Sequence, residues 1–127
     1  MATLNPGNTV RMTPLWYEHH DSHILLNAPE TSTAVKNLKR NSTASLLIDS
    51  KNAGIHFTGH GEIRKEYGTP KEIGSMFLRY FENEAAAIAY AEEVVSWGRR
   101  VFIKFYPLTR ITWDYGKRRD YSDVRQG

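Results

Sequence analysis

The chain has 127 residues, enough for one domain with one core, and carries 17 Lys plus Arg against 14 Asp plus Glu, a net charge of +3. A hydrophobic fraction of 40% and a charged fraction of 24% are typical of a globular protein and exclude a disordered one. The sequence has no cysteine, which excludes a disulfide framework, a thiolate metal site and a cysteine nucleophile.

The sequence shows no sign of membrane insertion or export. No apolar run approaches the roughly 20 residues that cross a bilayer, and the N-terminus lacks the charged-then-apolar pattern of a secretion signal. We therefore expect a cytoplasmic protein without a membrane partner. The charge of +3 suits a phosphate-bearing small ligand but falls short of the dense basic face of a nucleic-acid-binding protein. A nucleic-acid-binding barrel is therefore a minor alternative.

The N-terminal quarter predicts an arm and a β-hairpin. Residues 1–8 show no periodic pattern and predict an extended arm. Residues 9–17 are rich in Thr, Val and aromatics and predict a strand, with Pro14 expected at an edge or bulge because proline donates no ladder hydrogen bond. The polar cluster 19–22 predicts a tight turn into a second strand over 23–27.

The middle of the chain predicts one helix between strands. Residues 31–41 begin with hydroxyls suited to capping and continue as a short amphipathic helix. The apolar run 44–48 predicts a buried strand. A longer strand is expected over 55–65, in which Gly59 and Gly61 mark bulge or close-approach positions.

The C-terminal half predicts two helices and a final strand. Thr69 and Pro70 suit the start of a helix, since Thr caps well and Pro fits the first turn. A second helix is expected over 84–97, ended by glycine. Residues 99–114 alternate in the manner of a strand, and residues 116–127 predict a charged surface tail.

Together these elements predict a single domain of mainly β (α+β) class, an antiparallel split barrel with short helices packed outside. Such a small barrel leaves apolar strands and the aromatic residues Trp16, Phe105 and Trp113 in need of cover. A two-fold interface would supply that cover, so we expect a homodimer.

Four residues near the first turn, His19, His20, Asp21 and His23, have the chemistry of metal ligands. Ligands so close in sequence meet only where the backbone turns sharply, and a His-rich hairpin tip is typical of a solvated turn. We therefore predict no metal site. The sequence also contains no nucleophile elbow, P-loop, GxGxxG or HExxH motif, so no catalytic acid, base or nucleophile can be named.

The start of the first helix carries the clearest candidate site. Thr31, Ser32 and Thr33 offer hydroxyls beside free backbone donors, and Lys36 and Asn37 follow one turn later. Hydroxyls, amides and a cation at a helix start suit a phosphate dianion. The same residues equally suit a capped surface helix. The preceding strand over 11–16 offers backbone groups along which a flat ring could lie.

Taken in order, these features resemble the pyridoxamine 5′-phosphate oxidase-like family of flavin-binding split β-barrels. The resemblance covers most of the chain and consists of Arg11-x-x-Pro14-x-Trp16, the Thr/Ser-rich helix start with Asn37-Leu38, the apolar strand Ala44–Ile48, Gly59-x-Gly61-Glu62 and Pro107-x-x-Arg110-Ile111-x-Trp113.

The resemblance implies a homodimer with two cofactor sites at its interface, holding FMN or, as the alternative, the deazaflavin F-420. It implies an oxidoreductase that transfers hydride to a small-molecule substrate; a non-catalytic flavin-binding carrier or sensor is the rival reading. The residues that it implies for the cofactor are Arg11, Thr13, Pro14, Leu15 and Trp16 at the ring, Asn27 at the ribityl chain, Ser32, Thr33, Lys36 and Asn37 at the phosphate, and Trp113 from the second subunit.

The sequence departs from the family pattern at two places. The family commonly has a basic residue where this chain has Ala34. Lys36 lies about 200° around a helix from that position, so it is not a direct replacement. The C-terminal arginine segment that true pyridoxamine-phosphate oxidases use for substrate is not recognisable either, so that specific activity is not expected.

Overall fold

The computed structural model describes residues 1–115, and the predicted charged tail, residues 116–127, lies outside the described residues. The strands are β1 (Ala2–Leu4), β2 (Val10–Met12), β3 (Tyr17–His19), β4 (Ile24–Pro29), β5 (Thr43–Asp49), β6 (Ala53–Tyr67) and β7 (Arg100–Asp114). The helices are α1 (Thr33–Arg40), α2 (Pro70–Phe77) and α3 (Glu84–Ser96), and a 3₁₀ turn, Leu78–Tyr80, follows α2.

The strands form one sheet in the order β2-β1-β5-β6-β7-β4-β3, and all six pairings are antiparallel. The long strands β6 and β7 lie at its centre, and the sheet ends in the short strands β2 and β3. Short connections join the antiparallel neighbours β1 and β2, β3 and β4, and β5 and β6. The predicted mainly β, antiparallel fold with short helices is confirmed.

Two apolar clusters lie on opposite faces of β7. Ile103 and Phe105 point into the interior, where β4, β5, β6 and α1 contribute the rest of the core. The expectation that Phe105 needs cover from a partner is wrong, because its own protomer buries it completely. Phe102 points the other way, under the packed helices α2 and α3. Because successive side chains of a strand alternate between faces, β7 buries apolar residues on both. Helices α2 and α3 therefore pack outside the sheet, as predicted.

The N-terminal segment differs from the predicted arm. Residues 2–4 form β1, which pairs with β2 on one side and with Ala44 and Ser45 of β5 on the other. The side chain of Thr3 is buried. Three residues are too few for a periodic pattern, so only the distant pairing with β5 reveals the strand.

The strand predicted over 9–17 is divided into β2 and β3. The break falls at residues 13–16, around Pro14, which cannot donate to a ladder. Only β3 pairs with β4, with Tyr17 opposite Leu26. The predicted hairpin is therefore confirmed in its second half, while β2 turns back to pair with β1.

Local sequence signals set several boundaries correctly. Ser32 caps α1 by accepting a hydrogen bond from the Val35 amide, and Thr69 forms a capping box with Glu72 at the start of α2. A register shift separates Thr58 from Gly59, which confirms the predicted bulge position. These signals are local, and local sequence is sufficient to specify them.

Candidate functional site

A groove lies at the open edge of the sheet, where β5 continues beyond its pairing with β1. Since β1 pairs only with Ala44 and Ser45, the rest of β5 has β6 as its one strand neighbour among the described residues. The resulting edge groove has a volume of about 460 Å³, within the range of small-molecule sites. Its lining includes Pro14, Leu15, Tyr17, Leu46, Arg79 and Tyr80.

The edge groove contains two of the residues predicted to contact a flat ring, Pro14 and Leu15. Thr13 precedes them, and its backbone amide donates to the Met1 carbonyl at 2.8 Å. The Thr13 hydroxyl is buried and has no hydrogen-bond partner within residues 1–115. A buried polar group without a partner is costly. Thr13 itself is not among the residues that line the groove, so the structure does not bring this hydroxyl into the cleft.

Trp16 is placed away from the lining of the edge groove. Its ring stacks on Tyr80 at 4.6 Å between centroids and meets Phe77 edge-on at 4.0 Å. Phe81 and Tyr90 complete the aromatic cluster. Such aromatic packing fixes the residues 13–16 against the helical layer. Trp16 thus supports the wall behind the groove.

Helix α1 brings Ser32, Thr33 and Lys36 together at its start. The Ser32 hydroxyl accepts the Val35 amide at 3.3 Å, while Thr33 and Lys36 are exposed. Ala34, at the position where the family commonly has a basic residue, is uncharged and buried in the core. The turn of the helix separates the Lys36 ammonium from that position, as the sequence indicates.

Asn37 is buried, and its side-chain amide forms three hydrogen bonds within the protein. Its amide nitrogen donates to Thr3 Oγ1 at 3.0 Å and to Asn5 Oδ1 at 2.9 Å. Its carbonyl oxygen accepts from Arg40 at 3.0 Å. These bonds tie α1 to the N-terminal strand, so Asn37 positions the helix.

Arg11 lies on β2, directly opposite Thr3 of β1. Directly opposite residues in an antiparallel pair share one face of the sheet. Thr3 contacts Asn37 of α1, so Arg11 lies on the α1 side, and its side chain is exposed. The structure therefore brings Arg11 to the same face as the helix that carries Lys36.

Asn27 is buried on the helical side of β4. Its amide nitrogen donates to the Val101 carbonyl at 3.3 Å, and its oxygen accepts from Arg100 Nε at 2.8 Å. Burial lowers the pKa of the Arg100 guanidinium. The backbone amide of Asn27 meets the Trp16 carbonyl at 3.4 Å. Asn27 therefore joins the strand to the segment behind the edge groove.

Trp113 lies on the outer face of the sheet, opposite Gly54. The ring covers this glycine so closely that an added Cβ would lie 2.3 Å from the indole. Ile111 lies two residues earlier on β7. It pairs with His56 of β6, which in turn pairs with Leu47 of β5, so the three residues are neighbours across the sheet. Leu47 and Ile111 are 54% and 65% exposed. Leu47 also lines the edge groove, so this outer apolar face borders the groove, whereas Trp113 is not among the lining residues.

A second groove of about 730 Å³ lies beside the β3–β4 hairpin, with the predicted histidines on its rim. The rings of His20 and His23 stack at 4.8 Å, and His20 Nε2 lies 2.8 Å from the Glu18 carboxylate. Burial, with the charges of His20 and Lys104, lowers the pKa of His23. Within the described part of the chain, no three His, Asp or Glu side chains are grouped to hold a metal ion.

Arg79 is a site residue that the sequence does not reveal. It lies in the 3₁₀ turn after α2 and lines the edge groove beside Tyr17. Its contact with Tyr17 joins residues 62 positions apart. The only local signal is a basic residue between the aromatic positions 77, 80 and 81, and this pattern is equally typical of a surface residue.

The sheet order, the outer helices and the edge groove together define a small split-barrel protein with a ligand-sized cleft. The family model described as pyridoxamine 5′-phosphate oxidase matches residues 1–113, so the chain belongs to this family. A search of curated proteins gives no match.

Several solved structures share the fold. The conserved hypothetical protein Rv2991 from Mycobacterium tuberculosis has a TM-score of 0.71 and 25% identity, covering 91% of this chain and 76% of that one. An F420 reductase has a TM-score of 0.57 and 18% identity, covering 87% and 85%. PhzG from Burkholderia lata 383, in complex with tetrahydrophenazine-1-carboxylic acid, has a TM-score of 0.59 and 17% identity, covering 89% and 67%. They confirm the predicted split-barrel fold.

None of the helices in residues 1–115 has the length and hydropathy that a bilayer span requires.

Proposed function

We propose that the chain is a flavin-type oxidoreductase that works as a homodimer. The cofactor is FMN, with deazaflavin F-420 as the alternative, and the substrate is a small molecule. The observation that carries the proposal is the edge groove, a cleft of about 460 Å³ that Pro14 and Leu15 line. Membership of the family supports the same assignment.

The residues present fit the ring of such a cofactor. Leu15, Leu46 and Pro14 offer apolar walls that exclude water from a flat ring. When bound, the cofactor supplies the hydride chemistry, while the protein supplies orientation and electrostatics. Because the cofactor supplies the hydride chemistry, the reaction needs no dedicated catalytic acid or base from the chain.

The anionic tail would lie along the start of α1. Ser32 and Thr33 offer hydroxyls, and no acidic residue stands in the first turn of the helix. Lys36 and Arg11 are exposed on this side of the sheet, so they would meet a phosphate in solvent rather than in a buried cradle. Exposed charge pairs are weak and salt-sensitive. We therefore expect tail affinity to fall as salt rises.

The homodimer would form through the outer apolar face. Leu47 and Ile111 are more than half exposed in one protomer and stand in one row with His56. Exposed apolar patches of this kind mark association surfaces. Trp113 lies on the same face and is not among the residues that line its own edge groove. A partner seated there would receive Trp113 at its own site, as the family resemblance implies.

Titration of the purified protein with FMN and, separately, with F-420 tests the proposal. Quenching of cofactor fluorescence should saturate at one cofactor per chain for one of them, and sedimentation should give a dimer at micromolar concentration. Anaerobic reduction with NAD(P)H, or use of reduced F-420, followed by an acceptor screen then measures turnover. Binding of neither cofactor would overturn the proposal, and a bound but inert cofactor would identify a carrier or sensor instead.

A further inference from the structure

Arg79 lines the edge groove, and two aromatic residues hold its guanidinium in place. One terminal nitrogen donates to the Tyr17 carbonyl at 2.7 Å and to the Tyr80 hydroxyl at 2.9 Å. The guanidinium carbon lies 4.2 Å from the centre of the Tyr17 ring and 5.0 Å from that of Tyr80. Stacking and hydrogen bonding together hold the charged group in one orientation.

Arg79 forms no ion pair in the described part of the chain. The two ion pairs found there join His20 to Glu18 and Arg64 to Glu72. Asp49 lines the same groove but forms no ion pair with Arg79. A guanidinium carries five donors, and the bonds to Tyr17 and Tyr80 use one nitrogen. The other two guanidinium nitrogens form no hydrogen bond within residues 1–115, so they are available to an anionic group.

The groove around this cation suits a flat, apolar molecule. Leu15 and Leu46 form apolar walls, and Tyr17 and Tyr80 present rings beside the guanidinium. A ligand that matches both features has a planar body and one anionic oxygen at its edge. Arginine recognises such an oxygen through charge-assisted, often bidentate hydrogen bonds.

We propose that Arg79 is the anion-binding residue of the edge groove and that the groove takes a planar ligand with a carboxylate or an anionic ring oxygen. The anionic oxygen belongs either to the ring of the bound cofactor or to a planar acid bound as substrate. The assignment to these two ligands rests on the proposed function. The anion preference itself rests only on the geometry of Arg79.

The test compares benzoate with its neutral isostere benzamide as probes of the cofactor-free protein, followed by NMR chemical shifts. The wild-type protein should bind benzoate about tenfold more tightly than benzamide, the effect of one charge-assisted contact. Arg79→Gln should abolish this preference, and Arg79→Lys should retain part of it. Arg99→Gln is the matched control, because Arg99 also stacks on a tyrosine, Tyr67, and bonds its hydroxyl, away from the groove.

Cofactor titrations of the same variants separate the two sources of the anion. If Arg79→Gln weakens FMN or F-420 binding about tenfold and Arg99→Gln does not, the anionic oxygen is on the cofactor. If cofactor affinity is unchanged but the loaded protein loses its benzoate preference, the oxygen is on the substrate. Far-UV circular dichroism checks that each variant is folded. If Arg79→Gln does not fold, Arg79→Lys still tests the proposal.

Equal binding of benzoate and benzamide by the wild-type protein, or an unchanged preference in folded Arg79→Gln, would overturn the proposal. Failure of both cofactors to bind while the benzoate preference persists would overturn only the proposed oxidoreductase. The two proposals therefore fail separately.

Discussion

The side-chain amide nitrogen of Asn37 donates a hydrogen bond to Thr3 Oγ1 at 3.0 Å, and each of the two residues is 1% exposed. This contact joins α1 to the first strand of the sheet across 34 residues. The family resemblance assigns Asn37 to the cofactor phosphate. In the structure, however, its side-chain amide bonds to Thr3, Asn5 and Arg40 and so holds α1 in place.

Replacement of Asn37 by alanine should therefore destabilise the protein without any cofactor present. The change removes three hydrogen bonds and leaves the buried Thr3 hydroxyl without its donor, so we expect a loss of about 2–3 kcal/mol in the free energy of unfolding. Urea denaturation of the cofactor-free protein measures it. Lys36→Ala, one position away and exposed, should change stability by less than about 0.5 kcal/mol. Equal stability of both variants would contradict the structural role.

Acid should weaken the ion pair between Glu72 and Arg64. The hydrogen bond from Arg64, with the capping bonds from Thr69, lowers the pKa of Glu72 from 4.5 to about 2. A carboxyl whose pKa is lower in the folded state stabilises the protein above its unfolded pKa. That stabilisation should be lost as the pH falls from 4.5 towards 2.

Glu72→Gln should cost about 1 kcal/mol at pH 7, since the side chain is 41% exposed and solvent screens the pair. The cost should shrink as the pH falls through that window, because the wild-type carboxyl is then protonated as well. Thermal denaturation at pH 7, 4 and 3 measures the difference. Glu92→Gln, exposed on α3, serves as the control. A cost for Glu72→Gln that is independent of pH would contradict the prediction.

Gly59 is required by the close approach of β7 rather than by its backbone angles. An added Cβ would lie 2.1 Å from the Tyr106 carbonyl oxygen, a backbone atom that cannot move without separating β6 from β7. We expect Gly59→Ala to cost about 3 kcal/mol or more in the free energy of unfolding. At Gly61 the nearest atom is the end of the Leu38 side chain, at 3.0 Å, which can rotate away. A denaturant midpoint for Gly59→Ala equal to that of Gly61→Ala would refute this explanation.

The features predicted correctly from the sequence are those specified by neighbouring residues. Ser32 and Thr69 cap helices through bonds to residues three positions later. Gly59 marks a bulge, and the alternating residues of β7 indicate a strand. Each signal lies within a few residues of the structure that it specifies, so the pattern is visible in one stretch of sequence.

The features that the sequence does not reveal depend on distant partners. Ala2 forms a strand because it pairs with Ser45, and Asn37 is engaged because α1 places it beside Thr3. Arg79 reaches the groove only because the α2 turn packs against Tyr17. The periodicity of apolar residues within one stretch of sequence does not indicate pairs of residues that are distant in the chain. The family resemblance identifies Pro14 and Leu15 as candidate ring residues. Arg79, which lines the same groove, can be identified only from the folded structure.

The outer apolar face gives the sharpest test of the proposed homodimer. Ile111 is 65% exposed in a single protomer and lies two residues from Trp113 on β7. Ile111→Lys places a charge in the proposed interface, where burial without a partner costs several kcal/mol. We expect a folded monomer by sedimentation at micromolar concentration. Cofactor affinity should fall at least about tenfold, because Trp113 no longer reaches the partner's site.

Trp97→Lys, at a residue 68% exposed at the end of α3, should leave both the dimer and the affinity unchanged. A dimer that survives Ile111→Lys with full cofactor affinity would place the interface elsewhere and remove Trp113 from the site.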